Sequence, residues 1–159
     1  MEGSFGSYEE KARHILSHNM YMVVATSDKE AKPWGAVVFY ANDESGNFYF
    51  ISAIDSLHAR NMQENPNVSL VIYDSTQQLG LNQEVQVYGN ASIVNDGELK
   101  GALEFYTNKL FSISNELDKQ EYDPSQYSEP AEFRVFKIVP VKIYTTTEDR
   151  RTEVNLSGK

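Results

Sequence analysis

The segment EVQVYGNASIV, residues 84–94, alternates Val85, Val87, Gly89, Ala91 and Ile93 with Gln86, Tyr88, Asn90 and Ser92. A strict period of two sends one set to a buried face and the other to the opposite face, so this segment predicts a strand. Short apolar, β-branched runs recur at 19–27, 33–41, 48–52, 68–74 and 132–146. The connections Ser27-Asp28-Lys29-Glu30 and NDESGN, residues 42–47, carry turn-forming residues. Runs in hairpin order without β–α–β alternation argue against a doubly wound fold. They predict a mainly β chain, a closed antiparallel β-barrel with accessory helices.

Three helices interrupt the strands. Residues 7–18 form an amphipathic helix with Ser7 as N-cap, Glu9 and Glu10 in the first turn, and Ala12, Ile15 and Leu16 on the apolar side, a lid or brace. A short helix opens on Asp55-Ser56 and ends before Asn65-Pro66; a third, near 98–110, is capped by Asp96. Residues 114–131 read as an exposed acidic loop, Pro140 marks a bulge or local edge in the last strand, and 148–159 read as a frayed, flexible tail.

At 159 residues the chain is the size of one domain. Without cysteine it has neither disulfide nor thiolate chemistry, which fits the cytoplasm. The N-terminal apolar run is too short for a signal core or a membrane span. A net charge of −9 without a basic stripe argues against nucleic acid and membrane surfaces. A small molecule held in a local site is the expected partner.

Gly-rich phosphate loops and a Gly-x-Ser-x-Gly elbow are both missing. His14 and His18 share a helix face with Glu10, but an isolated pair of this kind is more often a surface feature than a metal site. The turn at Asp55-Ser56 offers more. Its helix start presents unpaired N–H groups and a positive dipole end, Ser56 adds a hydroxyl, and His58 and Arg60 add donors. Those are the parts of a phosphate site; a plain capped connector is the competing reading.

In order, VVFYANDESGNFYFIS, DSLHARNMQENPNVSL and EVQVYGNASIV resemble the flavin-binding split barrels typified by pyridoxamine 5′-phosphate oxidase. The resemblance runs from about Met20 to Ile93, and FRVFKIVPVKIY is similar to that family's closing strand. It implies a six-stranded antiparallel split barrel of Greek-key type. It further implies FMN at a homodimer interface, with the strand Gly35, Ala36, Val37 and Val38 along the ring and Ile51 and Ser52 nearby. The family's Ser-Arg-Lys motif grips the phosphate; here it reads Ser56-Leu57-His58, with Arg60 one turn on. Leu57 stands for the Arg and His58 for the Lys. The partner subunit would add Gln83 or Glu84, of which the neutral amide suits a flavin that gains negative charge on reduction.

The expected activity is redox of a small molecule by an FMN-dependent oxidoreductase, the flavin carrying the chemistry. The alternatives are a non-catalytic flavin-binding or stress-related protein, and a haem- or deazaflavin-binding relative. The chain ends TTTEDRRTEVNLSGK, without the Trp of the true pyridoxamine phosphate oxidases, so oxidation of that vitamer is not expected.

Overall fold

A computed structural model describes residues 5–78, 83–113, 122–147 and 150–157. Among them, eight strands form one antiparallel sheet: β1 (Tyr21–Ser27), β2 (Pro33–Phe39), β3 (Ala41–Asn42), β4 (Phe48–Ala53), β5 (Asn67–Tyr73), β6 (Glu84–Ile93), β7 (Phe133–Thr147) and β8 (Arg150–Val154). Their order is β2-β1-β5-β6-β7-β4-β3, with β8 on β7. The mainly β, antiparallel expectation holds, but the count is eight rather than six.

One extra strand arises because the run 33–41 breaks at Tyr40. Upstream of it β2 pairs with β1; downstream β3 pairs with β4. These are the two ends of the sheet, joined by consecutive residues, so the sheet curls into a half-barrel whose edges approach each other. Tyr40 is fully buried at this pivot. Its N–H donates to the Met20 carbonyl at 3.3 Å and its hydroxyl to the Leu16 carbonyl at 2.9 Å. Burial pushes the phenol far above its ordinary pKa, so it remains a donor. Lys109 Nζ lies 3.4 Å from the Tyr40 ring centroid and donates to the same Leu16 carbonyl at 2.9 Å.

The other extra strand corrects the frayed tail expected at 148–159. There β8 pairs with β7 from Ile143↔Val154 to Thr147↔Arg150, and Val154 and Leu156 are buried. Arg150, Arg151 and Glu153 face solvent, which hid a short alternating strand behind its charges. Residues 148, 149, 158 and 159 of that tail, and 114–121 of the expected loop, lie outside the described residues. Within 122–131 the chain makes a short 3-10 turn, Pro124–Gln126.

The helices are α1 (Tyr8–His18), α2 (Leu57–Glu64) and α3 (Asp96–Ile113). Ser7 caps α1 as expected, accepting from Glu10 N at 3.1 Å. Lys11 and Arg13 donate to the carbonyls of Thr146 and Leu156 at 2.8 and 2.7 Å, so α1 is a brace against β7 and the segment after β8. At α3 the cap is Asn95, whose Oδ1 accepts from Glu98 N at 3.1 Å. Asp96 instead lies inside the first turn, where the helix dipole favours its charge.

Two apolar clusters lie on opposite faces of β4 and β7. Phe48, Phe50, Phe136 and Ile138 face the barrel interior with α1 and α2, while Tyr49 and Val135 pack with Leu99, Ala102 and Leu103 of α3. Phe50 and Phe136 stack at 5.3 Å and 14°. A buried ring of this kind resists truncation to alanine by about 3–5 kcal/mol. The predicted bulge is present: Tyr88 pairs with Lys142 and Gly89 with Pro140, leaving Val141 unmatched. No helix among the described residues is long and apolar enough to cross a membrane.

Candidate functional site

The helix α2 is anchored by its polar residues. Asn61 Nδ2 donates to Thr26 Oγ1 at 3.1 Å inside the protein, Asn65 Nδ2 to Ser27 Oγ at 2.9 Å, and Gln63 Nε2 to the Ile54 carbonyl at 3.3 Å. Ala59 and Met62 fill the core beneath. These contacts fix the helix to the end of β1 and leave its first turn at the barrel rim.

Ser56 caps that turn, accepting from Ala59 N at 3.3 Å. The N–H groups of Leu57 and His58 have no acceptor within the helix. Ser52, at the end of β4, brings a second hydroxyl to the same point: Ser52 Oγ is 3.2 Å from Ser56 Oγ and 2.7 Å from His58 Nε2. His58 Nε2 is also 3.3 Å from Ser56 Oγ. The His58 ring, 6.2 Å from that of Phe50, is half-buried, and this desolvation pulls its pKa below the ordinary value. Near neutral pH the turn is therefore a set of uncharged donors with one group able to take up a proton.

Other predicted residues fall elsewhere. Leu57 and Arg60 are exposed, and the side-chain hydrogen bonds of Ser56 and His58 among the described residues do not include the Arg60 guanidinium. Ile51 alternates away from Ser52 and packs on the α3 side of the sheet. Gly35, Ala36, Val37 and Val38 lie on the edge strand β2; Ala36 and Val38 pack inward, while Val37 is 68% exposed. A β-carbon on Gly35 would meet only Val23 Cγ1, at 3.9 Å, so the chain's own packing does not require glycine there. Gln83 and Glu84 stand where β6 begins, opposite Tyr73. That is the far end of β5 from the Asn67 that follows α2, roughly 20 Å along the strand. Within one chain they do not join the α2 turn. The Glu84 carboxylate accepts from Gln86 Nε2 at 2.9 Å and from the Thr146 hydroxyl.

One residue escaped the sequence reading. Arg134 on β7 pairs directly with Ser52, and directly paired residues share a face. The adjacent pair on that face is Phe50 and Phe136, whose rings stack. Arg134 Nε is buried without a hydrogen-bond partner among the described residues. Only the strand register reveals this neighbourhood, because Arg134 and Ser52 are remote in sequence.

His14 and His18 stack at 3.9 Å, and Glu10 turns away to accept from Gly6 N at 2.7 Å. Among the described residues no three His, Cys, Asp or Glu side chains converge as a metal site. A cleft of about 560 Å³ lies at the bulge of β7, lined by Glu9, Asn47, Val141, Lys142 and Glu153 among others. It contains none of the predicted site residues.

Comparison with known proteins agrees with this fold. The family model described as pyridoxamine 5'-phosphate oxidase matches residues 8–147. A pyridoxine/pyridoxamine 5'-phosphate oxidase of Coxiella burnetii (strain RSA 493 / Nine Mile phase I) is 35% identical over 66 residues, which are 42% of this chain and 34% of that protein. The match thus spans about a third of the relative's length. A heme binding protein from Mycobacterium smegmatis superposes with a TM-score of 0.74 at 20% identity, covering 96% of this chain and 60% of that one. The General Stress Protein 26 from Bacillus anthracis str. Sterne superposes with a TM-score of 0.62 at 22% identity, covering 92% and 98%. With a family model matched from α1 to the end of β7 and the curled antiparallel barrel in place, this chain belongs to the pyridoxamine 5'-phosphate oxidase family.

Proposed function

We propose that this chain is a cytoplasmic FMN-binding oxidoreductase that acts as a homodimer on a small reducible molecule. The observation that carries the reading is the convergence of Ser52, Ser56 and His58 on the first turn of α2. Two hydroxyls, an imidazole and free helix N–H groups are a donor set suited to a phosphate, and an anion there meets the positive end of the helix dipole. Bound FMN would supply hydride and electron transfer, which explains why no triad of side-chain catalysts is needed. The chain's own task is to hold the phosphate at α2 and to present β2 to the ring.

The outer face of the sheet supports the dimer. Val23 pairs with Val37 on one side and Val71 on the other, and the three are 41%, 68% and 36% exposed. Tyr21 and Tyr73 extend this apolar row. Such a face is suited to a second copy, which would also bring Gln83 from the partner. Glu84 is already engaged within its own chain, so Gln83 is the freer group.

A haem-binding or stress-related role is the second reading, supported by the names of the two superposed structures. The visible spectrum of the purified protein, with mass analysis of the released chromophore, separates the two. We expect bands near those of oxidised flavin, a released mass matching FMN, and sustained NAD(P)H turnover with an electron acceptor. A Soret band would transfer the chain to the haem binders. Flavin without turnover would leave a non-catalytic carrier, and a colourless protein that takes up no FMN would overturn both flavin readings.

A further inference from the structure

We infer that Arg134 is a direct ligand of the phosphate group bound at the first turn of α2, supplying the fixed positive charge that Leu57 and His58 do not. The inference rests on the flavin reading above and names a residue on a different strand.

Three observations lead to it. Arg134 is the cross-strand partner of Ser52, whose hydroxyl lies 2.7 Å from His58 Nε2. The two side chains leave the sheet on the same face, immediately beyond the stacked Phe50 and Phe136, and Phe50 itself neighbours the His58 ring. Its Nε is sealed from solvent yet has no acceptor among the described residues. The residue as a whole is partly exposed, but a charged donor atom shut away from water without an acceptor is costly. No carboxylate within ion-pair distance answers it among the described residues. An anion accepting from Ser52 and Ser56 would lie on the face toward which Arg134 projects, and a guanidinium binds a phosphate through paired N–H groups.

Charge balance argues the same way. A phosphate monoester carries close to two negative charges near neutral pH. The α2 turn offers no permanent cation beside its two hydroxyls: Leu57 is apolar, His58 is desolvated, and Arg60 is exposed and absent from the hydrogen bonds of Ser52, Ser56 and His58. Arg134 is the cation that the register brings to Ser52 without a competing acid.

The test compares FMN with riboflavin, which has the same ring and no phosphate, on the wild-type protein and on Arg134→Gln. Affinities are read from flavin fluorescence quenching. We expect Arg134→Gln to weaken FMN about tenfold or more and riboflavin by less than about twofold, so that the FMN preference collapses. Arg134→Met, which retains the aliphatic stem, replaces the Gln variant if that fails to fold. On the wild type, the Nε–H resonance of Arg134 should shift with FMN or inorganic phosphate and stay in place with riboflavin. Unchanged FMN affinity in the variant, or an equal loss for FMN and riboflavin, would overturn the inference while leaving the flavin reading intact. If the wild type takes up no FMN but binds inorganic phosphate in an Arg134-dependent way, the inference stands and the flavin reading falls. If it binds neither, both fall.

Discussion

Gly89→Ala is expected to destabilise the protein by about 3 kcal/mol and to lower its melting temperature by roughly 10 °C. The cause is steric, because no left-handed backbone angle is present at this position. A β-carbon on Gly89 would lie 2.7 Å from the Val139 carbonyl oxygen, 3.0 Å from Ile138 Cγ2 and 3.2 Å from Pro140 Cα. Two of those three atoms are backbone, held by the β6–β7 ladder at its bulge, so neither can rotate away. Relief requires the strands to part where β7 steps past Val141, in the longest ladder of the sheet. Gly101→Ala is the matching control. Gly101 lies inside α3 with nothing within 4 Å of the added carbon, so the substitution should stabilise by about 0.5–1 kcal/mol through helix propensity alone. Opposite signs for two Gly→Ala changes, measured by thermal or denaturant unfolding, would verify the bulge geometry. Near-equal effects would contradict it.

The second large effect concerns pH. Burial holds the His58 imidazole below its ordinary pKa in the free protein, and under the proposed function a phosphate dianion at Ser52 and Ser56 would raise it in the complex. Between those two pKa values the protein would take up a proton as FMN binds, so affinity is expected to fall as pH rises, by up to about tenfold per unit. Above the bound-state value His58 is neutral with or without ligand and the dependence flattens. Below about pH 6 the phosphate itself becomes protonated, which offsets the His58 slope, and affinity falls with falling pH only once His58 is protonated in the free protein as well. Titrations from pH 7 to 8.5 should therefore show weakening for FMN and a flat profile for riboflavin. His58→Lys should remove the slope, and His58→Ala should remove it while weakening FMN by roughly 10- to 150-fold, the range for a hydrogen bond to a charged group. A slope that survives in His58→Ala would place the titrating group elsewhere.

The period-two pattern of β6 and the capping residues Ser7 and Ser56 were legible because each depends on neighbours in sequence. Gly89 was readable as inward-facing for the same reason, but the carbonyl pressed against it belongs to β7 and was not. Tyr40 illustrates the limit of local reading. Nothing in FYAN shows that one residue separates the two ends of the sheet, since that depends on β1 and β4 taking different partners. β8 escaped because exposed charges on three of its five residues dilute the apolar alternation.

The candidate site divides along the same line. Ser56 and His58, two residues apart on a capped helix, were readable as donors. Ser52 entered through resemblance, and its hydroxyl is now seen to meet theirs. Arg134 was invisible because it reaches the site only through the β4–β7 register. Asn61 and Asn65 read as ordinary polar helix and turn residues; their anchoring role appears only when Thr26 and Ser27 stand opposite them.

The most direct measurement is a crystal structure of the protein with FMN. The phosphate should lie within hydrogen-bonding reach of Ser52, Ser56 and His58, the ring along β2, and Gln83 of the partner subunit should complete the site. A phosphate bound away from the α2 turn, for instance in the cleft beside Lys142, would contradict this.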